Sequence, residues 1–458
     1  MFAHMKQKPG FYRQVVVLAT PIVLQNLITS CLSMADTFMV GMLGEVPMAA
    51  VTLANIPMFV IQLFIFGVQS GASVLISQYW GKGDRESINR VIGVALWVVL
   101  SVTSLFAAIL LLFPMEFLSL FGNQRDVVTL AAQYGGLAAL SNVCNAFTMM
   151  YVAAYRSMER PKLGMYILAT SMTANTFLNW VFIFGNLGAP ALGVRGAALA
   201  TLVARSLEVV IVVGHMIFNR FFQVRVDLFL QPGRKMFVRF LRYGGLVVCN
   251  ETFWGLGTSV FPTIMGHMEG STEILAAYTV AGNVEKLVTV FVFGLAATAA
   301  IVIGREIGAG RPETVKSMGL AMDTLAVACG LVLSGILWAF ALVLAPRYIF
   351  PLFKLSAGAA SVATMMIGSM AVIMPMRSFN SVNIVGVLRG GGDVKAATLI
   401  DTTPLWIVAI PYAFFCGIIL KTPVFWVYQA FAVESTVKFC LGVWRLRSGK
   451  WVRDLTRA

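Results

Sequence analysis

Charge is what this chain has least of: 12% of its residues are Asp, Glu, Lys or Arg, and only 20 of the 458 are acidic. A soluble domain carries about 25% charged residues, so a sequence that is 59% hydrophobic cannot clothe itself against water. Soluble globular classes are excluded. Histidine is scarcer still. His4, His215 and His267 are the whole supply, none stands at ligand or nucleophile–base spacing, and neither HExxH, GxSxG nor a phosphate-cradling loop occurs. No enzyme activity, metal centre or cofactor is expected, and the GGGD run at 390–393 reads as a turn rather than a nucleotide cradle. The six cysteines all fall inside apolar runs without disulfide or zinc spacing, as small buried hydrophobes do. The opening MFAHMKQKPGFYRQ lacks a small-residue cleavage site, so the first apolar segment is expected to stay in the protein.

What is abundant is hydrocarbon. Crossing ~30 Å of lipid takes about 20 apolar residues. Charges, Pro and Gly divide the sequence into twelve such stretches, near 15–42, 48–79, 91–113, 127–154, 164–184, 193–218, 243–266, 275–303, 317–345, 357–386, 396–418 and 425–443. The 34 Lys and Arg form no nucleic-acid-binding patch; they punctuate the stretches. With the N-terminus inside the cell, the inner connections receive clusters such as Lys82, Arg85 and Arg90, while the outer ones hold only Arg125, Arg347, Lys354 and Lys421. By the positive-inside rule both termini are then cytoplasmic.

The longest hydrophilic connection separates two six-span blocks. The expected domains are an N-lobe (1–218), a cytoplasmic linker (219–242) and a C-lobe with its tail (243–458). A shift of 227 lays 49–84 on 276–311 with eleven identities and no gap, among them Phe64/Phe291, Gly67/Gly294, Gly81/Gly308 and Gly83/Gly310. Six spans per copy give both copies one orientation, related by an axis along the membrane normal. Secondary transporters use this parallel-repeat plan, with their site at the repeat interface. The expected fold is an all-α membrane protein of twelve transmembrane helices in two six-helix lobes with pseudo-two-fold symmetry.

Carboxylates at membrane depth cost at least ~2.5–3.5 kcal/mol on insertion scales, so each needs a reason. Glu434 has Lys438 at i+4 and Glu208 has Arg205 at i−3, spacings that share a helix face. Glu285 adjoins Lys286, and Asp323 and Asp401 stand near inner span ends, within reach of snorkelling or a loop Arg. Asp36, in NLITSCLSMADTFMVGMLG, and Glu251, in GGLVVCNETFWGLGT, have no cation nearby in sequence. A buried acid so placed can be satisfied by a proton, a metal cation or an organic cation. Asn175 and Asn179, an i,i+4 pair on span five, and Thr201 on span six fall at the depth of Asp36 and can hydrogen-bond either protonation state. Pro21 removes a backbone hydrogen bond from the helix that carries Asp36, where a bend is expected.

ATPIVLQNL and MADTFMVGMLG in span one, QYWGKGD, YRSMERPK, NTFLNW, LGVRGAALAT, NETFWGLGT, IGREIGAGR and VLRGGGDVKAATLID follow one another in an order that resembles the MATE (multidrug and toxic compound extrusion) transporters along the whole chain. The resemblance implies a secondary active antiporter that exports small organic cations in exchange for H⁺ or Na⁺ by alternating access. It further implies a monomer in the bacterial cytoplasmic membrane, with no cofactor beyond the coupling ion. Carried over by motif, Asp36 is the family's acid of helix one, Pro21 its proline, and Asn175, Asn179 and Thr201 its polar neighbours. Glu251 matches the seventh-helix acid of the NorM-like branch. The DinF-like branch has an Asp where Asn179 stands, so the chain leans toward NorM. It departs from NorM in span ten, where Asn380, Asn383 and Arg377 occur and no acid does. Asn380 and, one helix later, Asp401 are the candidates to complete a cation site there. An alternative is a lipid or lipid-linked saccharide flippase of related fold, which would favour a basic cavity; Arg195, Arg205 and Arg377 could supply one.

Overall fold

The computed structural model describes residues 5–7, 9–122, 124–352 and 355–457; His4, Lys8 and Lys354 lie outside them. In lipid, backbone polar groups must be satisfied within the spanning structure, and the described residues meet that condition with helices and no strand. Twelve long helices follow one another: α1 (Phe11–Gly41), α2 (Glu45–Lys82), α3 (Arg85–Leu112), α4 (Arg125–Ser157), α5 (Lys162–Phe184), α6 (Gly193–Phe218), α7 (Arg234–Gly266), α8 (Ser271–Gly308), α9 (Pro312–Ile349), α10 (Ala357–Leu388), α11 (Val394–Ile419) and α12 (Ala430–Ser448). Ten of them are long and apolar enough to cross a membrane. α7 and α12 fall short of the same hydropathy because charge interrupts them, at Glu251 in one and at Glu434 and Lys438 in the other. α1 continues through Pro21.

The repeat is visible in backbone geometry. Gly83 after α2 and Gly310 after α8 both turn in the left-handed region, at φ 77° and 74°, where a Cβ costs about 1–2 kcal/mol. Asp84 then caps α3, its carboxylate accepting the Ser87 N–H at 2.9 Å. The second half of the chain adds π-helical turns, including Val382–Leu388 at the end of α10 and Pro404–Ala409 within α11.

The chain forms two compact units, Leu24–Val248 and Met1–Val23 together with Cys249–Ala458. Their borders fall inside α1 and α7, whereas the 219–242 connection holds a short helix, Val226–Leu230, and the start of α7. In the first unit α2 packs on α4, α4 on α6 and α5 on α6. Gly67 of α2 lets α7 approach so closely that a Cβ there would lie 2.7 Å from the Val248 Cα. In the second unit α9 and α8 both pack on α10. Phe11, Val15 and Leu18 from the first half of α1 join that unit's core with Phe261, Ile303, Met322 and Met374. Val23 fills the space a Cβ on Gly294 would need. The repeat-related glycines thus serve the same purpose, once in each unit.

Candidate functional site

In the first unit, four of the residues singled out from sequence form one chain of hydrogen bonds. Asn179 Nδ2 donates to Asp36 Oδ1 at 2.6 Å and to Asn175 Oδ1 at 3.2 Å. Asn175 Nδ2 in turn donates to Thr201 Oγ1 at 3.3 Å, and the hydroxyl donates to the Ala197 carbonyl at 3.0 Å. Helical rods make this convergence possible: i,i+4 spacing stacks the two amides on one face of α5, opposite α1 on one side and α6 on the other. Both amides are buried, Asp36 is half-buried, and Asp36 makes no ion pair among the described residues. Arg205 lies within electrostatic reach of Asp36 and is bonded to Glu208 at 2.7 Å. Asn179 Oδ1 is buried beside the carboxylate without a hydrogen-bond donor. The arrangement therefore leaves an acid without an ion pair next to an acceptor oxygen without a donor, which suits a proton or a cation. Tyr134, which its sequence surroundings did not distinguish, packs against Val40, Ile183 and Ala197 and lies within electrostatic reach of Asp36.

The second unit is organised differently. Glu251 meets Arg389, whose Nη1 donates to Glu251 Oε1 at 2.7 Å, so the acid without a sequence-local cation has one from 138 residues further on. Arg389, directly before the GGGD run that reads as a turn, is fully buried at 0% exposure. Next to Glu251, Asn250 Nδ2 donates to Asp401 Oδ2 at 2.9 Å, and Asn250 Oδ1 accepts the Thr402 hydroxyl at 2.8 Å. Lys438 Nζ sits 2.7 Å from both Asp401 Oδ1 and Glu434 Oε1. Asp401 is thus held by a helix lysine and an amide rather than a loop Arg, and stands within electrostatic reach of Glu251. Glu251, Asp401 and Glu434 face Arg389 and Lys438, three carboxylates for two cations. Asn380 is turned elsewhere, its Nδ2 donating to the Ser435 carbonyl at 2.8 Å. Glu285 pairs with Arg377 rather than relying on Lys286. Among the described residues no group of three or more His, Cys, Asp and Glu side chains is arranged to hold a metal ion.

Long apolar helices in two compact units, with buried acids tied to amides, define a multi-span membrane protein of transporter type. The MatE family profile matches the chain twice, over residues 21–181 and 245–415, one match in each six-span block. The chain belongs to the MatE family, a family of membrane transporters. Its relatives include a probable multidrug resistance protein NorM of Rhizobium meliloti, 27% identical over 89% of this chain and 86% of that one. Another, from Thermotoga maritima, is 22% identical over 97% and 94%. Among solved structures, a MOP superfamily transporter from Pyrococcus furiosus superposes with a TM-score of 0.85 at 19% identity over 98% of both chains. The eukaryotic MATE transporter AtDTX14 does so with a TM-score of 0.85 at 16% identity over 97% of both. These similarities agree with the twelve-helix, two-lobe fold.

Proposed function

We propose that this protein is a multidrug efflux antiporter of the bacterial inner membrane, exporting organic cations in exchange for H⁺ or Na⁺, with both termini cytoplasmic. The observation that carries this reading is the Asp36–Asn179–Asn175–Thr201 chain: an acid without an ion pair among the described residues, held by one amide N–H whose own oxygen is left without a donor. Ion and cationic substrate compete for that negative charge, and occupancy by one weakens the other, which is the thermodynamic requirement for exchange. Glu251, Asp401 and Glu434, one carboxylate more than the two cations they face, supply a second place where monovalent charge can be gained and released. Relatives named as probable multidrug resistance proteins support the substrate class. Arg205 and Arg377 are each committed to an acid, which removes two of the three cations that a basic flippase cavity would use.

The test is uptake of a fluorescent organic cation into inverted membrane vesicles under a pH gradient or a Na⁺ gradient applied separately. One gradient should drive uptake, and Asp36→Asn should abolish it. Normal uptake by both Asp36→Asn and Glu251→Gln would refute the mechanism.

A further inference from the structure

Asp323, on α9, is a buried acid that neither cluster uses. It is 3% exposed, its Oδ2 accepts from Asn383 Nδ2 at 2.8 Å, and it makes no ion pair among the described residues. Its Oδ1 and the Asn383 Oδ1 are both buried and both without a hydrogen-bond partner. An unpaired polar atom in such surroundings costs about 1–3 kcal/mol, more when charged, so two in one pair of residues call for a ligand that answers both.

Charged groups on the neighbouring elements are engaged elsewhere. On α8, Glu285 pairs with Arg377 of α10, Glu306 with Arg305 and Arg311, and Lys286 is exposed. On α12, which approaches Asn383 at Gly442, Lys438 holds Asp401 and Glu434, and Arg445 holds Asp393. The π-helical segment Val382–Leu388 contributes no ionisable side chain.

We infer that Asp323 and Asn383 bind one proton as an acid–carboxamide pair: Asn383 Nδ2–H donates to Asp323 Oδ2, and the proton on Asp323 Oδ1 is donated to Asn383 Oδ1. One proton taken from solvent satisfies both lone oxygens and removes the charge that would otherwise sit inside the second unit. The pairing repeats, on different helices, the amide-to-acid bond of Asn179 and Asp36. It also places a proton site on the contact of α9 with α10, separate from Glu251 and Arg389. The π-helical turn begins one residue before Asn383, and such turns often mark functional positions.

Infrared difference spectroscopy of the purified full-length protein reads the proton directly, independently of transport. In sodium-free buffer at neutral pH, wild type minus Asp323→Asn should show a protonated-carboxyl C=O stretching band, and Asn383→Leu should shift that band to the position of an unpaired acid. If Asp323→Asn does not fold, wild type with ¹³C-labelled aspartate compared with Asn383→Leu makes the same assignment. Carboxylate bands in place of the acid band would overturn the inference, as would a band that Asn383→Leu leaves unmoved. So would a band lost on adding sodium chloride but not choline chloride, because a metal cation would then be the ligand.

Discussion

Replacing Arg389 with Met removes a fully buried guanidinium from beside Glu251, which is itself 8% exposed, while keeping much of its apolar bulk. Glu251 is then left facing Asp401, the other carboxylate within its electrostatic reach. Removing one member of a buried ion pair costs about 3–5 kcal/mol, because the remaining charge has lost both water and partner. Replacing both members by neutral groups is often neutral, or stabilising by about 1–4 kcal/mol. Adding Glu251→Gln to Arg389→Met should therefore recover stability, with a coupling energy on the order of 2–3 kcal/mol. Unfolding in mixed micelles, followed through the nine tryptophans, measures the four corners of that cycle. Single effects that simply add in the double variant, or an Arg389→Met protein as stable as wild type, would show that the pair is solvated and that its buried geometry carries no such cost.

Two further outcomes follow from distances in the first unit and from the repeat. Asn179→Leu removes the N–H that reaches Asp36 at 2.6 Å; a hydrogen bond to a charged group is worth about 1.5–3 kcal/mol, so vesicle uptake at a fixed gradient should fall roughly 10–100-fold, short of the abolition expected of Asp36→Asn. Wild-type uptake by Asn179→Leu would separate the amide from the acid. Gly67→Val and Gly294→Val each drive a side chain into α7 or α1, an overpacking of about 1–3 kcal/mol. Both should lose monodispersity in size-exclusion chromatography after heating, whereas Gly282→Val, with open space around it, should not; equal behaviour of all three would contradict the close approach.

Depth was readable from the sequence, and lateral position was not. Rods that span the same slab convert residue number into height at about 1.5 Å per residue, which is why Asp36, Asn175, Asn179 and Thr201 could be assigned to one layer before any contact was known. Which rods stand side by side depends on packing between helices distant in sequence. Asn380 therefore faces the Ser435 backbone rather than the acids, and the cation for Glu251 lies 138 residues away in a stretch that reads as a cytoplasmic turn. Ion pairs within one helix, Glu434 with Lys438 and Glu208 with Arg205, were legible because i,i+3 and i,i+4 spacing fixes them locally. Tyr134 carried no comparable signal: an aromatic in an apolar helix reads as core or lipid contact.

Because α1 is divided between two compact units, its two halves mature at different times during synthesis. The part beyond Val23 belongs with Leu24–Val248, chain that emerges early. Phe11, Val15, Leu18 and Val23 pack against residues such as Phe261, Gly294 and Ile303, which do not yet exist when α1 enters the membrane. At about 5–20 residues per second, the first turns of α1 wait on the order of ten seconds to a minute for their core. The first half of α1 is made well before the helices that pack on it, and during that interval lipid or the insertion machinery must stand in for α8.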